Sequence, residues 1–262
     1  MRIAVCIKQV PAREDCSMDP ERGTLIREGE MRLNPYDAFA LECALRLSGE
    51  DGETMAFTMG PESAGSVLKE AFAMGVQQGI LVSDAAFAGA DVLATSRALS
   101  QAIRSHGPFD VIVCGRQTTD GDTGQVGAAI AEYLHLEYLG WVKKVECLEN
   151  GRIRLEQIRS GRICIMEARP PFVMAVERDI FIPRVPNLKM KLQAGKKKWK
   201  KVPLADLEDT DPEHYGLRGS PTRVVRIFKP VREETGKIEE MDGLQGAEAV
   251  LAMIKERLGE GR

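Results

Sequence analysis

The chain has 262 residues, 44% of them hydrophobic, with a formal net charge of −3; that is long enough for one large α/β domain with or without an appendage, and too weakly charged to draw the whole chain to nucleic acid. No apolar run approaches the ~20 residues of a membrane span, so no membrane insertion is expected, and Met1 runs almost directly into strand-like Ile3 to Ile7, which leaves no signal or transit segment and predicts a cytoplasmic protein. The six cysteines form no CxxC pair, so neither a metal site nor a disulfide framework is suggested.

In chain order, Ile3 to Ile7 reads as a strand and is followed by Lys8-Gln-Val-Pro. Between Pro11 and Asn34 a hairpin is expected, with Glu21-Arg-Gly as its turn and Thr24 to Arg27 as a strand. Asn34 and Pro35 then read as the cap and first position of a helix running to Leu47. Thr54 to Met59 is a strand, Glu62 to Ala73 a helix, Gly79 to Val82 a strand, Ala90 to Ser105 a helix and Val111 to Cys114 a strand. This alternation predicts a doubly wound, mostly parallel sheet of the adenine-nucleotide-binding type, covered by helices on both faces. Ligands of such sheets lie beyond the carboxyl ends of the strands. Cys6 and Cys114, in strand-like runs, read as small buried hydrophobes.

The most informative run is Val111-Ile-Val-Cys-Gly-Arg-Gln-Thr-Thr-Asp-Gly-Asp-Thr-Gly-Gln-Val-Gly127, leading into Ala128 to Leu134. It reads as a buried strand, a tight polar loop and a helix. The first amides of a helix lack internal partners and carry the positive end of its dipole, so a phosphate there is stabilised without a lysine. The plain alternative is a surface turn capped by Thr123. Asp120 and Asp122 would repel a phosphate unless they point away, capping the helix or holding ribose hydroxyls. A calcium loop fails because Ala131 stands where its twelfth position needs a carboxylate.

After Leu134, Trp141 to Leu148, Ile153 to Ile158 and Arg162 to Glu167 alternate apolar and polar residues around an Asn150-Gly151 turn, which predicts an antiparallel meander. Phe172 to Val176 returns as a buried strand, and nothing beyond Glu177 reads as sheet. Arg184 to Lys201 carries eight basic side chains and no acidic one. Its bland reading is a solvated basic loop; RNA binding is disfavoured by the acidic balance and the lack of a stacking cluster. Gly243 to Leu258 has a helical apolar pattern in Leu244, Ala247, Val250, Leu251 and Ile254, that of an arm packing on another chain.

Four ordered motifs, IAVCIKQVP at the start, LNPYDAFALECALRL from Leu33, GRQTTDGDTGQVG from Gly115 and PRVPNLKMKLQAGKKK from Pro183, resemble the β subunit of an electron-transfer flavoprotein. The resemblance runs from Ile3 to about Leu207. It implies a heterodimer with an α subunit that holds an electron-carrying FAD, while the β subunit holds AMP or a second FAD. The DGDTGQVG form resembles the electron-bifurcating type, in which NADH is the donor and electrons pass to ferredoxin or flavodoxin and to or from a flavin dehydrogenase of the acyl-CoA or lactate type. FAD is therefore expected in this chain; AMP, with electrons carried from acyl-CoA dehydrogenases, is the alternative.

Carried over by position, the resemblance places Cys6, Asn34, Pro35, Tyr36, Asp37, Met59, Gly115, Arg116, Gln117, Thr118, Thr119, Asp120, Gly121, Asp122, Thr123, Gly124, Gln125 and Val126 around the nucleotide. Backbone amides from Thr123 to Val126 would take the phosphates, and Arg116 would lie near the flavin, the alternative being a surface arginine. Leu188, with Lys189 and Met190, would anchor a dehydrogenase. The implied organisation is a nucleotide-binding domain over 1–182, a docking loop over 183–202 and an arm over 203–262 packing on the α subunit. The three histidines stand beside no readable Ser or Cys nucleophile motif, so covalent or acid-base catalysis is not suggested. An ATP-pyrophosphatase-like hydrolase would need an SGGxDS-type loop where Lys8-Gln-Val-Pro stands, and a ligand-sensing stress-type domain would leave the basic segment unexplained.

Overall fold

Apolar runs alternating with helical segments give the chain a sheet with helices on both faces, as the sequence predicts. The computed structural model describes residues 1–12, 30–223, 225 and 238–259. Strand β1 (Arg2–Cys6) leads to β2 (Gln9–Pro11), which pairs antiparallel with β3 (Met31–Leu33). The base of the expected hairpin is thus present; its turn and the strand expected over Thr24 to Arg27 lie outside the described residues. Then come α1 (Pro35–Ser48), β4 (Glu53–Met59), α2 (Gly65–Met74), β5 (Gln78–Val82), α3 (Val92–His106), β6 (Val111–Gly115) and α4 (Val126–Leu134). The meander is β7 (Glu137–Cys147), β8 (Ile153–Arg159) and β9 (Arg162–Ala168), followed by β10 (Phe172–Val176).

The main sheet has nine strands in the order β5, β4, β1, β6, β10, β7, β8, β9, with one more strand beyond β5. Pairing is parallel from β5 to β7 and antiparallel among β7, β8 and β9. Period-two alternation divides each central strand between two cores. Ile3, Val5, Val111, Val113, Phe172 and Met174 pack with α1 and α2, while Ala4, Cys6, Ile112, Cys114, Val173 and Ala175 pack with α3 and α4. Side chains such as Ile3 and Phe172, at 0% and 1% exposure, each contribute about 1.5–3 kcal/mol of transfer free energy. The meander packs one face on the first core through Val145, Ile153 and Leu155.

Two details differ from the sequence reading. The meander's first strand begins at Glu137, and Glu137 to Leu139 pair in parallel with β10 before the strand turns to antiparallel pairing with β8. The basic segment is not loop throughout. Residues Leu188–Lys196 form α5, capped by Asn187, whose side chain accepts from the Met190 amide at 2.9 Å, and Lys200–Val202 form β11, parallel to β5 at the sheet edge. Basic composition hid both: the helix buries only Ala194, and a short edge strand is held by backbone hydrogen bonds that tolerate lysine.

Residues up to Arg226 form one compact unit and 227–262 a second. In the first, Leu207 and Tyr215 are buried, and the Tyr215 hydroxyl accepts from Gln101 at 2.6 Å and donates to the Asp209 carbonyl at 2.7 Å. The second contains α6 (Gly243–Leu258), capped by Asp242 and carrying exposed Leu244, Val250, Leu251, Ile254 and Leu258. Among the described residues no helix is long and apolar enough to cross a membrane.

Candidate functional site

From β1 the chain winds through α1 and α2 toward β4 and β5, then crosses by α3 to β6 on the other side of β1. The reversal opens a crevice at the carboxyl ends of β1 and β6, the position where sheets of this kind hold ligands. Met59 ends β4, Cys6 ends β1 and Gly115 ends β6, so three of the expected residues stand on adjacent strands. Cys6 pairs with Cys114 across the strands, and both are buried. The hydrogen bond between the two thiols and their burial push the Cys114 thiol well above its usual range, so it packs as a protonated group.

The start of α1 is tied to the loop after β6. Asp37 accepts from the Lys8 amide and from the Asn34 side chain, at 2.7 and 2.8 Å. Asn34 also donates to the Gln117 carbonyl at 2.9 Å and accepts from the Thr119 amide at 3.3 Å. Pro35 is at the first helical position as expected, but the Asn34 side chain makes no cap bond, because the loop has claimed it. Lys8 reaches across with its ammonium to Asp120, 2.7 and 2.8 Å from the two carboxylate oxygens. Burial pushes the Asp37 carboxyl up to about 7, against the pull of Asn34 and of the Lys8 amide and charge. This network fixes the crevice wall from segments far apart in the chain.

Two glycines hold the loop close. A Cβ on Gly115 would lie 2.4 Å from the Asp37 carboxylate and 2.9 Å from the Tyr36 backbone. Gly124, at φ +62°, is left-handed, and a Cβ there would lie 3.2 Å from the Arg116 carbonyl. Helix α4 begins with no side-chain cap, and its first ladder bond runs from the Ala129 amide to the Gln125 carbonyl, so the amides before Ala129 are outside the ladder. The cap position is held by Gln125 rather than by Thr123, Asp120 or Asp122. Asp120 is drawn to Lys8 instead. Asp122, at φ +52°, donates its amide to Thr118 at 2.9 Å and accepts from the Gln117 side chain.

Arg116 has partners that sequence reading missed. Its Nη1 donates to Glu177, 3.0 and 3.3 Å from the two carboxylate oxygens, and its guanidinium carbon lies 3.7 Å from the centre of the Trp141 ring. Trp141 is left-handed at φ +58°, a conformation that costs about 1–3 kcal/mol in a non-glycine residue. It sits where β7 shifts register against β10, just before the shift against β8 between Val142 and Lys144; bulges of this kind re-aim a side chain. Gly140 immediately before it was the available signal, since glycine inside a strand pattern marks such a site. Leu188, Lys189 and Met190 are not part of this constellation; they lie on α5, with Leu188 73% exposed.

The residues present fit a nucleotide. The helix start is uncapped, Gly124 brings backbone close where a side chain would intrude, and the buried Arg116 Nε meets no acceptor among the described residues. Arg116, at the start of this loop, adds a cation suited to a ligand that carries negative charge. Among the described residues no group of three His, Cys, Asp or Glu side chains is arranged to hold a metal.

A doubly wound sheet with a glycine-held loop and a helix start at its switch point defines the class of open α/β proteins whose ligands lie at that edge. The description of the electron transfer flavoprotein domain matches residues 22–207. The electron transfer flavoprotein subunit beta of Thermoanaerobacterium thermosaccharolyticum is 41% identical over 91% of this chain and 92% of its own. The caffeyl-CoA reductase-Etf complex subunit CarD of Acetobacterium woodii is 37% identical over 91% of each chain, and the protein FixA of Rhizobium meliloti is 38% identical over 89% of this chain and 83% of its own. The chain belongs to the electron transfer flavoprotein family, as a β subunit.

Proposed function

We propose that this β subunit binds FAD in the crevice between β1 and β6 and, paired with an α subunit in the cytoplasm, takes electrons from NADH and divides them between a flavin dehydrogenase and ferredoxin or flavodoxin. The observation that carries the reading is the Gly115 to Val126 loop, which Gly124 brings close to the Arg116 carbonyl and which leads into a helix without a side-chain bond from its cap residue. When bound, the flavin supplies the redox chemistry; the protein's part is position and charge. Amides from Thr123 to Val126 take the phosphates, the Asp37, Asn34 and Lys8 network holds the wall, and Arg116 offers positive charge to the ring-bearing half. The name of the Acetobacterium relative joins an Etf to a CoA-ester reductase, which favours a dehydrogenase-type partner here.

In this proposal the segment over 183–202 docks the dehydrogenase through exposed Leu188, with Lys189 and Met190 beside it. Charge steers the encounter and a small apolar anchor fixes it. The arm contributes the exposed apolar stripe of α6 to the α subunit.

The test is the absorption spectrum and extracted nucleotide content of the purified αβ complex. Two flavins per heterodimer are expected, with reduction by NADH under anaerobic conditions. One flavin with one AMP would overturn the bifurcating reading, and no flavin would overturn both.

A further inference from the structure

Arg116 is held differently from an arginine that merely reaches solvent. Three neighbouring strands converge on it: Arg116 follows β6, Glu177 follows β10, and Trp141 lies where β7 passes the end of β10. Their backbones are locked together, the Arg116 amide donating to Val176 at 3.0 Å and the Glu177 amide to Val142 at 2.8 Å. Glu177 is 7% exposed, so its carboxylate faces the guanidinium with little water between to screen it. The guanidinium carbon lies over the indole, 3.7 Å from the ring centre, and Trp141 holds a backbone conformation that aromatic residues rarely adopt. Nη1 is given to Glu177, and the buried Nε meets no acceptor among the described residues.

A cation stacked on an indole and paired to a buried carboxylate has a fixed position and a partly cancelled charge. We infer that Trp141 and Glu177 are positioning residues that fix Arg116 and set the net charge it presents to the isoalloxazine ring. The inference rests on the proposed flavin assignment. Reduction adds negative charge to the ring, so an uncompensated arginine makes it easier and a missing or displaced one makes it harder.

The experiment compares the αβ complex of the wild type with E177Q, R116Q, W141L and W141F. Flavin content is measured first, then the reduction potential of each flavin by spectroelectrochemical titration, with the α-subunit flavin as the internal reference. All variants are expected to keep two flavins. The β-site potential rises in E177Q, falls in R116Q and W141L, and stays near the wild type in W141F, whose ring still carries the guanidinium. Two retained flavins with unmoved potentials overturn the inference while leaving the flavin assignment standing. Loss of the β-site flavin in every variant, W141F included, gives the cluster a purely structural role and overturns the inference as well. A wild-type complex with a single flavin overturns the assignment itself and the inference with it.

Discussion

Gly124→Val tests the nucleotide loop most directly. The residue is left-handed at φ +62°, and its Cβ would stand 3.2 Å from the Arg116 carbonyl. A left-handed conformation costs an L-residue about 1–2 kcal/mol, more with a branched β-carbon. The close contact adds to this, because the neighbour is backbone and cannot rotate aside. Together they amount to roughly 2–4 kcal/mol, or about 30- to 700-fold in an equilibrium constant. If the loop keeps its shape, the cost falls on the thermal midpoint; if it relaxes, the amides from Thr123 to Val126 lose alignment and the cost falls on nucleotide affinity. Gly124→Asn is the control, since asparagine tolerates the left-handed region. The αβ complexes are washed, extracted and chromatographed for nucleotide, and their melting is recorded. The valine variant should lose most of its β-site nucleotide, or melt markedly earlier, while the asparagine variant and the α-subunit flavin are retained. A valine variant with full nucleotide content and an unchanged midpoint would show that no phosphate depends on this loop.

Asp37, with its carboxyl pushed up to about 7 by burial, binds a proton in the folded state over a range where the unfolded chain has released it. Stability should therefore fall as pH rises from about 4 to about 7 and level off above; Asp37→Asn should flatten that slope in urea titrations at several pH values, and an identical slope in the variant would refute the assignment. Glu42 has the opposite sign: although burial opposes it, Arg184 and Arg46 hold its carboxyl down at about 2. Its contribution is present above the ordinary carboxylate range and lost as pH falls toward 2, so Glu42→Gln should lower the midpoint at pH 7 and make little difference near pH 2. Leu188→Ala should slow electron delivery to the partner dehydrogenase several-fold in stopped-flow measurements without changing flavin content; a loss of flavin would mean that α5 supports the fold instead. Gly115→Ala, which drives a Cβ toward the Asp37 carboxylate and the Tyr36 backbone, should cost about 1–3 kcal/mol by overpacking, read as a lower midpoint, and wild-type melting would contradict the close approach.

Much of the fold was written in local pattern. Continuous apolar runs such as Ile3 to Ile7 and Phe172 to Val176 marked the central strands, because a strand buried on both faces has no polar position to spare. The turn at Asn150-Gly151 and the alternation around it fixed the meander, and the polar loop between β6 and α4 marked the crevice, because a helix start is an anion site wherever it occurs. What local pattern could not contain was anything decided by partners distant in sequence. Asp120 reads as a helix cap or a partner of ribose hydroxyls, and only the fold brings Lys8, 112 residues away, onto it; Asn34 reads as a cap until the Gln117 and Thr119 backbones claim it. Lys200 to Val202 became a strand only because the edge of β5 offered unpaired backbone groups. The clamp of Trp141 and Glu177 on Arg116 depends on β6 and β10 ending where β7 passes, and on a bulge that brings the indole over the guanidinium, a geometry created by sheet order rather than by any residue's own preference.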